Sequence, residues 1–293
     1  MIRKTLRGIG ETFFPSLWSK IDVWRAARAE RRHWDERIAD VVACPDNEHL
    51  ARVPDAGKIV NGYQTMHNGL KVVVNGYYGD GITRMLVANR GCHEPQEEVV
   101  FGAVVRTLPP GAVMVEAGAY WGFYSMWFCQ VIPQAKVFLV EPDFENLAIG
   151  RRNFHLNGLN GDFTQAYVGS KPGRHADGTQ IVSIESFLME KNLKHVNVLH
   201  ADVQGSELEL LQGVQGLLDT ARIDYLFVST HSMELHAQCA ELLRVCGYRV
   251  LVSVNLEETY SVDGVLVVCS LRVTPAEFAP PSKKPPRLGA PPA

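Results

Sequence analysis

The chain has 293 residues, 46% hydrophobic and 21% charged, with a formal net charge of −3 and a pI near 6.4. That length suits one large domain or a core with an appendage, and the composition is that of an ordinary globular protein. The slightly acidic balance offers no basic stripe, so nucleic acid is not expected as a partner. The six cysteines (Cys44, Cys92, Cys129, Cys239, Cys246 and Cys269) form no Cys-x-x-Cys pair and sit mostly in apolar stretches. They read as small core residues of a protein kept in a reducing compartment, and a cytoplasmic location is expected.

The N-terminal MIRKTLRGIGETFFPSLW is basic, but glycine and charge interrupt it before an apolar region forms. It is read as a solvated, frayed start without a signal peptide or a membrane span; its basic and aromatic residues leave a membrane-surface role conceivable. Residues 19–43 are rich in helix formers. There Trp24, Ala27, Trp34, Ile38 and Val41 recur at helical spacing, so a helix packing its tryptophans on the body is expected. Residues 60–91 carry Asn61-Gly62, Asn68-Gly69, Asn75-Gly76 and Asp80-Gly81 between short β-prone runs, which predicts a small antiparallel sheet or a pair of hairpins. A helix follows from Pro95 to Leu108, ended by Pro109-Pro110.

From residue 111 strands and helices alternate. Strands are predicted at 112–116, 136–141, 162–167, 196–201, 223–229, 248–254 and 264–271, and helices at 122–132, 143–157, 205–219 and 233–246. Such alternation argues for an α/β fold, a doubly wound parallel sheet with helices on both faces. The last two strands are joined by NLEETYSVDG without a helix, so the closing pair is expected to be antiparallel. The proline-rich TPAEFAPPSKKPPRLGAPPA lacks apolar periodicity and is expected to be disordered. The predicted organisation is a helical extension over 1–55, hairpins and a lead-in helix over 56–108, the core over 109–273 and the tail over 274–293.

Ligands of open α/β sheets bind beyond the carboxyl ends of the strands. The first core strand ends in Glu116, followed by Gly118, Ala119, Tyr120 and Gly122. Gly118 lets the backbone bend and approach a ligand, and Gly122 opens the helix. Glu116 suits a cationic ammonium and repels a pyrophosphate. Tyr120 stands where a dinucleotide fingerprint needs glycine. Glu141 ends the next strand, 23 residues after Gly118, and can accept hydrogen bonds from ribose hydroxyls. That spacing serves a dinucleotide as well; together with Glu116 it favours S-adenosylmethionine. Asp202 closes a later strand, where it can position a substrate, act as a base or hold a metal. Glu207 reads as an acid of the first helical turn. His231 follows the next strand end and is the candidate for taking a hydroxyl proton.

The segments EAGAYWGFYS, VEPDFENLAIGRRNFHLNG, HADVQGSELELLQG, THS and LLRVCGYRV, with HEPQEE ahead of them, resemble the FkbM family of S-adenosylmethionine-dependent methyltransferases over about residues 90–270. The resemblance implies a class I methyltransferase fold and methylation of a hydroxyl on a sugar, natural product or other small molecule. It implies a cofactor site of Glu116, Gly118, Ala119, Tyr120, Gly122, Glu141, Pro142 and Ala166, with His93, Glu94 and Gln96 as a lead-in closing over it. Asp202 matches the fourth-strand acid, and Asp202 with His231 forms the expected catalytic pair. The chain departs from the family pattern at His200, Gln204, Tyr120 and Ser229, where lysine, an acid, asparagine and an acid are usual. These departures leave metal dependence open, with Asp202 and His231 as the possible ligands. They also motivate the alternative of a non-catalytic adenosyl-binding module; a nicotinamide-dependent dehydrogenase fits Glu116 poorly. Tyr120, Trp121, Phe123 and Tyr124 point to an aromatic pocket or to core packing. The N-terminal helix and residues 60–91 are expected to build either the acceptor pocket or a homodimer contact.

Overall fold

A computed structural model describes residues 15–285 of the chain. Its centre is a seven-stranded sheet whose strands are β4 (Val113–Ala117), β5 (Lys136–Glu141), β6 (Asp162–Gln165), β10 (Val196–Ala201), β11 (Ile223–Thr230), β12 (Arg249–Val254) and β13 (Gly264–Cys269). Their order is β12-β13-β11-β10-β4-β5-β6, and only β13 runs against its neighbours. This is the doubly wound class I layout with its reversed strand, as expected. The chain winds outward from β4 to β6 and then crosses back to β10. The switch point, where a crevice must open, therefore lies between the carboxyl ends of β4 and β10.

Every residue of β11 and of β13 is buried, which is why both read as near-continuous apolar runs. Successive residues serve opposite faces of the sheet. Met114, Leu139, Val198 and Phe227 enter one core, while Val115, Val140, Leu199 and Leu226 enter the other. The helices α4 (Phe123–Val131), α5 (Phe144–Leu156) and α9 (Met233–Val245) match their predicted spans. Asp143 starts α5 by accepting from the N–H groups of Glu145 (2.8 Å) and Asn146 (2.9 Å), and Ser232 starts α9 by accepting from Leu235 N–H (3.1 Å).

The expected helix over 205–219 is two short ones, α7 (Glu207–Gln212) and α8 (Gln215–Asp219). The break falls at Gly213, whose backbone packs so closely on Gly169 that a Cβ there would lie 2.7 Å from the Gly169 carbonyl oxygen. Between β6 and β10 lies a small sheet of β7 (Tyr167–Val168), β8 (Gly173–Arg174) and β9 (Gln180–Val182), then α6 (Ile184–Glu190), none of it signalled by the alternation pattern.

The N-terminal helix α1 runs Pro15–Ala43. Trp34 and Val41 are buried, but Trp24 is 60% exposed and residues 23–33 all face solvent. The expectation that both tryptophans pack is thus half right: among the described residues no element covers residues 23–33. The hairpin expectation holds for the meander β1 (Ile59–Val60), β2 (Tyr63–Thr65) and β3 (Lys71–Val73). Its first turn has Asn61 at φ 51° and Gly62 at φ 81°, the type I′ geometry that Asn-Gly favours. Residues Gly79–Ala88, however, form a helix, α2. Gly81 is there for packing rather than for a turn, since a Cβ on it would overlap the Trp34 indole. Helix α3 (Pro95–Val105) follows.

The tail also departs from expectation over 274–285. Ala276 is buried with its N–H on Tyr225 Oη (3.2 Å), Ser282 N–H reaches Asp46 Oδ2 (2.9 Å), and Ser282 O accepts from Gln96 Nε2 (2.5 Å). The segment needs no helical or strand periodicity because polar side chains of the body satisfy its backbone. The expectations for residues 1–14 and 286–293 lie outside the described residues. Among the described residues no helix is long and apolar enough to cross a membrane.

Candidate active site

A cavity of about 520 Å³ occupies the switch point. It is bordered by the turn after β4 (Gly118, Ala119, Tyr120, Trp121), the end of β5 (Glu141, Pro142), Ala166, and the end of β10 (His200, Asp202) with Val203 and Gln204. The lead-in residues His93 and Glu94 and the aromatic pair Tyr77 and Tyr78 close its other side.

Gly118 sits at φ 76° against the β10 end, where a Cβ would overlap the Asp202 carbonyl oxygen, so glycine is required on both counts. Its N–H and that of Ala119 bond Val140 O at 2.9 and 3.1 Å, which ties the turn to β5. Glu116 is buried and accepts from Ser125 N–H at 3.1 Å. Burial pushes its carboxyl up to about 7, against the pull of the neighbouring His200. Glu141 accepts from Tyr120 N–H (3.0 Å) on one oxygen and from Asp143 N–H (3.0 Å) on the other. Burial raises it as well. A carboxylate has about four lone-pair directions, so Glu141 braces the turn and retains capacity for a ribose hydroxyl.

The sequence-predicted set does not assemble completely. Glu116, Gly118, Ala119, Tyr120, Glu141, Pro142, Ala166, His93, Glu94 and Asp202 border the cavity. Gly122 does not: at φ 72° it begins α4 and packs on Leu139 and Phe154. Gln96 is also elsewhere, holding the β12–β13 connection through Tyr260 N–H (2.8 Å) and Thr259 Oγ1 (3.2 Å) as well as the tail. The aromatics divide. Tyr120, Trp121 and Tyr124 border the cavity, whereas Phe123 is core. Trp121 lies flat on Tyr77, with centroids 4.4 Å apart and planes 7° apart.

His231 does not border the cavity and is not arranged as a base. Its Nδ1 bonds Glu207 Oε1 at 2.9 Å, and its Nε2 lies 3.3 Å from Asp202 Oδ1 and 3.4 Å from Asp263 Oδ1, close in charge without hydrogen-bond alignment. Burial opposes its charge, but Asp202, Glu207 and Asp263 outweigh that and raise it to about 10. Protonated, the imidazole has no lone pair with which to take a hydroxyl proton. Asp202 and His231 stand side by side, and among the described residues no group of three or more His, Cys, Asp or Glu side chains is set to hold a metal ion.

Sequence spacing missed a buried charge network. His200 Nε2 bonds Glu97 Oε1 at 2.7 Å, and charge from Glu97 and Glu116 overcomes burial to raise its pKa. His200 thus places an imidazole with a raised pKa against a buried carboxyl group. Glu98, fully buried, lies 2.7 Å from His93 Nδ1 and 3.0 Å from His67 Nε2 and accepts the N–H groups of His93 (2.9 Å) and Glu94 (3.0 Å). Burial alone would raise its carboxyl; the two histidines hold it well below the usual range. The partners are 103 residues apart for His200 and Glu97, a separation no local pattern reveals.

A second cavity of about 130 Å³ adjoins the first. Arg37 and Val41 of α1, Ile82 and Met85 of α2, and residues Ser261, Val262 and Asp263 border it. Tyr77, Tyr78, His93, Glu94, Asp202 and Gln204 are common to both cavities.

Residues 116–250 match the family described as the Methyltransferase FkbM domain. No curated protein matches the chain. Among solved structures it is similar to a precorrin-6y C5,15-methyltransferase from Geobacter metallireducens, 16% identical with a TM-score of 0.42, covering 59% of this chain and 88% of that one. It is similar to a magnesium protoporphyrin IX methyltransferase from Synechocystis with bound S-adenosylmethionine, 14% identical with a TM-score of 0.41, covering 59% and 77%. An rRNA methylase from Streptococcus thermophilus is 13% identical with a TM-score of 0.43, covering 60% and 96%. Over residues 116–250 the chain is thus similar to FkbM methyltransferase domains, and that similarity supports S-adenosylmethionine as its cofactor.

Proposed function

We propose that the chain is an S-adenosylmethionine-dependent O-methyltransferase acting on a hydroxyl of a small acceptor. The observation that carries this reading is the second cavity beside the cofactor cavity, the two bordered in common by six residues. A pure binding module needs one pocket; a transferase needs two that meet. When bound, S-adenosylmethionine supplies a methyl group on a positively charged sulfur. In this reading Glu116 receives its ammonium end, Glu141 its ribose, and Gly118 and Ala119 bring backbone against it. The residues of the junction hold the acceptor oxygen in line and exclude water, which is most of what such a displacement asks of a protein. The smaller volume of the second cavity, and its carboxylates Glu94, Asp202 and Asp263, favour a compact uncharged or polyhydroxylated group over a nucleic-acid phosphate.

The test is transfer of label from methyl-tritiated S-adenosylmethionine into a small-molecule extract of the producing cells. A product 14 mass units heavier than its precursor, one methyl in place of one hydrogen, is expected. Tight cofactor binding by calorimetry without any labelled product sinks the reading and leaves a binding module.

A further inference from the structure

We propose that Glu94 is the general base of this site, taking the acceptor's hydroxyl proton on Oε1, an inference that rests on the methyl-transfer reading above. A base must border both cavities and present an unshared lone pair there. Six side chains border both. The amide of Gln204 is not a base. Burial pushes the Tyr77 phenol well up and the Tyr78 phenol to about 12, so both keep their protons at neutral pH. His93 has its Nδ1 2.7 Å from Glu98 and its Nε2 3.3 Å from Glu94, and these carboxylates raise it to about 9 against the cost of burial. Asp202, the other carboxylate at both cavities, has its Oδ1 on Gln204 Nε2 (2.8 Å) and 3.3 Å from His231 Nε2, and is the rival that the Asp202→Asn variant below tests.

Glu94 is held against the aromatic wall of the cavity. Its Oε2 accepts the Tyr124 hydroxyl at 2.9 Å and lies 3.3 Å from His93 Nε2. Its backbone N–H is fixed by Glu98 at 3.0 Å. Its Oε1 has no hydrogen-bond partner among the described residues. One oxygen is thus anchored and the other is left for a ligand. The groups facing Glu94 are His93, Glu97 and Glu98 from the lead-in, Tyr77, Tyr124, Asp202 and Asp263. Burial is the largest influence; His93 works against it, and the net effect leaves the carboxyl at about 7, a strength suited to a base at neutral pH. In the step, an acceptor oxygen lone pair forms the bond to the methyl carbon. The carbon–sulfur pair stays on sulfur, which becomes a neutral thioether, and the hydroxyl proton passes to Oε1.

The experiment compares wild type, Glu94→Gln, Glu94→Ala and Asp202→Asn with the tritiated cofactor and the cell extract. Binding of S-adenosylhomocysteine is measured by calorimetry alongside. Wild-type turnover should rise with pH to a plateau above about 7, because a base works deprotonated. Glu94→Gln should lose about 100-fold or more in turnover and its acid limb, while binding S-adenosylhomocysteine within about twofold of wild type. Added formate should restore part of the activity of Glu94→Ala. Infrared difference spectra of the wild type against Glu94→Gln, both with S-adenosylhomocysteine, should show a carboxyl titrating near neutral pH in the wild type alone. Three results overturn the proposal: near-normal turnover in Glu94→Gln, a tenfold or greater loss of S-adenosylhomocysteine binding that makes Glu94 a cofactor ligand, or an acid limb abolished by Asp202→Asn and kept by Glu94→Gln. Wild type that binds cofactor and labels nothing overturns the underlying reading instead.

Discussion

Gly118 stands where two constraints coincide, a positive φ and a backbone approach to Asp202 that leaves no room for a Cβ. Gly118→Ala should therefore weaken S-adenosylhomocysteine binding by about tenfold or more, because the turn must open to admit the methyl group. Calorimetry reads the loss, and a melting curve shows whether the fold survives. Glu116 makes a pH prediction of definite sign. Burial raises its carboxyl to about 7, so the free site prefers the proton, whereas a bound ammonium prefers the carboxylate. Affinity for S-adenosylmethionine should climb with pH up to about 7 and level off above it, by at most about tenfold per pH unit. Calorimetry in buffers of different ionisation enthalpy should show proton release below that pH, and Glu116→Gln should flatten the profile. The two glutamates near 7 should be separable by experiment: Glu116→Gln should alter the pH profile of binding and Glu94→Gln that of turnover.

Among the elements, α5 and α9 were legible because each begins at a side-chain cap, Asp143 and Ser232, and the buried core strands because they read as short apolar runs between turns. The misreadings have one cause. Asp80-Gly81 looks like a turn, and its glycine instead makes room for an indole from a helix some 47 residues earlier. Gly81→Ala should separate α1 from α2 and cost about 1–3 kcal/mol of stability, as overpacking does. Chemical denaturation checks this, and unchanged stability would mean that Trp34 has another place to go. The tail teaches the same lesson with the opposite sign. A segment without periodicity is nonetheless fixed over 276–284 by Tyr225, Asp46, Gln96 and Glu258, residues drawn from far along the chain.

In the proposed reading the whole molecule joins a cofactor cavity, built on β4, β5 and β10, to an acceptor cavity completed by α1, α2 and the connection after β12. The two functions should come apart by mutation. Val41→Trp fills the smaller cavity from the α1 side and should abolish labelling of acceptor while leaving S-adenosylhomocysteine affinity within about twofold, since Val41 borders only that cavity. Parallel loss of both would place the acceptor elsewhere.

The sequence alone determined the alternating core, the reversed last strand, and the acids and glycines at the strand ends. Each of these is written in local periodicity or in short spacings from a strand to its turn. Only the tertiary structure decided which of those acids are free to act. His231 reads as a base in the chain, whereas in the fold Asp202, Glu207 and Asp263 converge on it and raise it to about 10. His200 and Glu97 become a buried hydrogen-bonded pair, and Glu94 borders two cavities. Protonation depends on burial and on the charges brought alongside, and those neighbours come from positions tens to more than a hundred residues away.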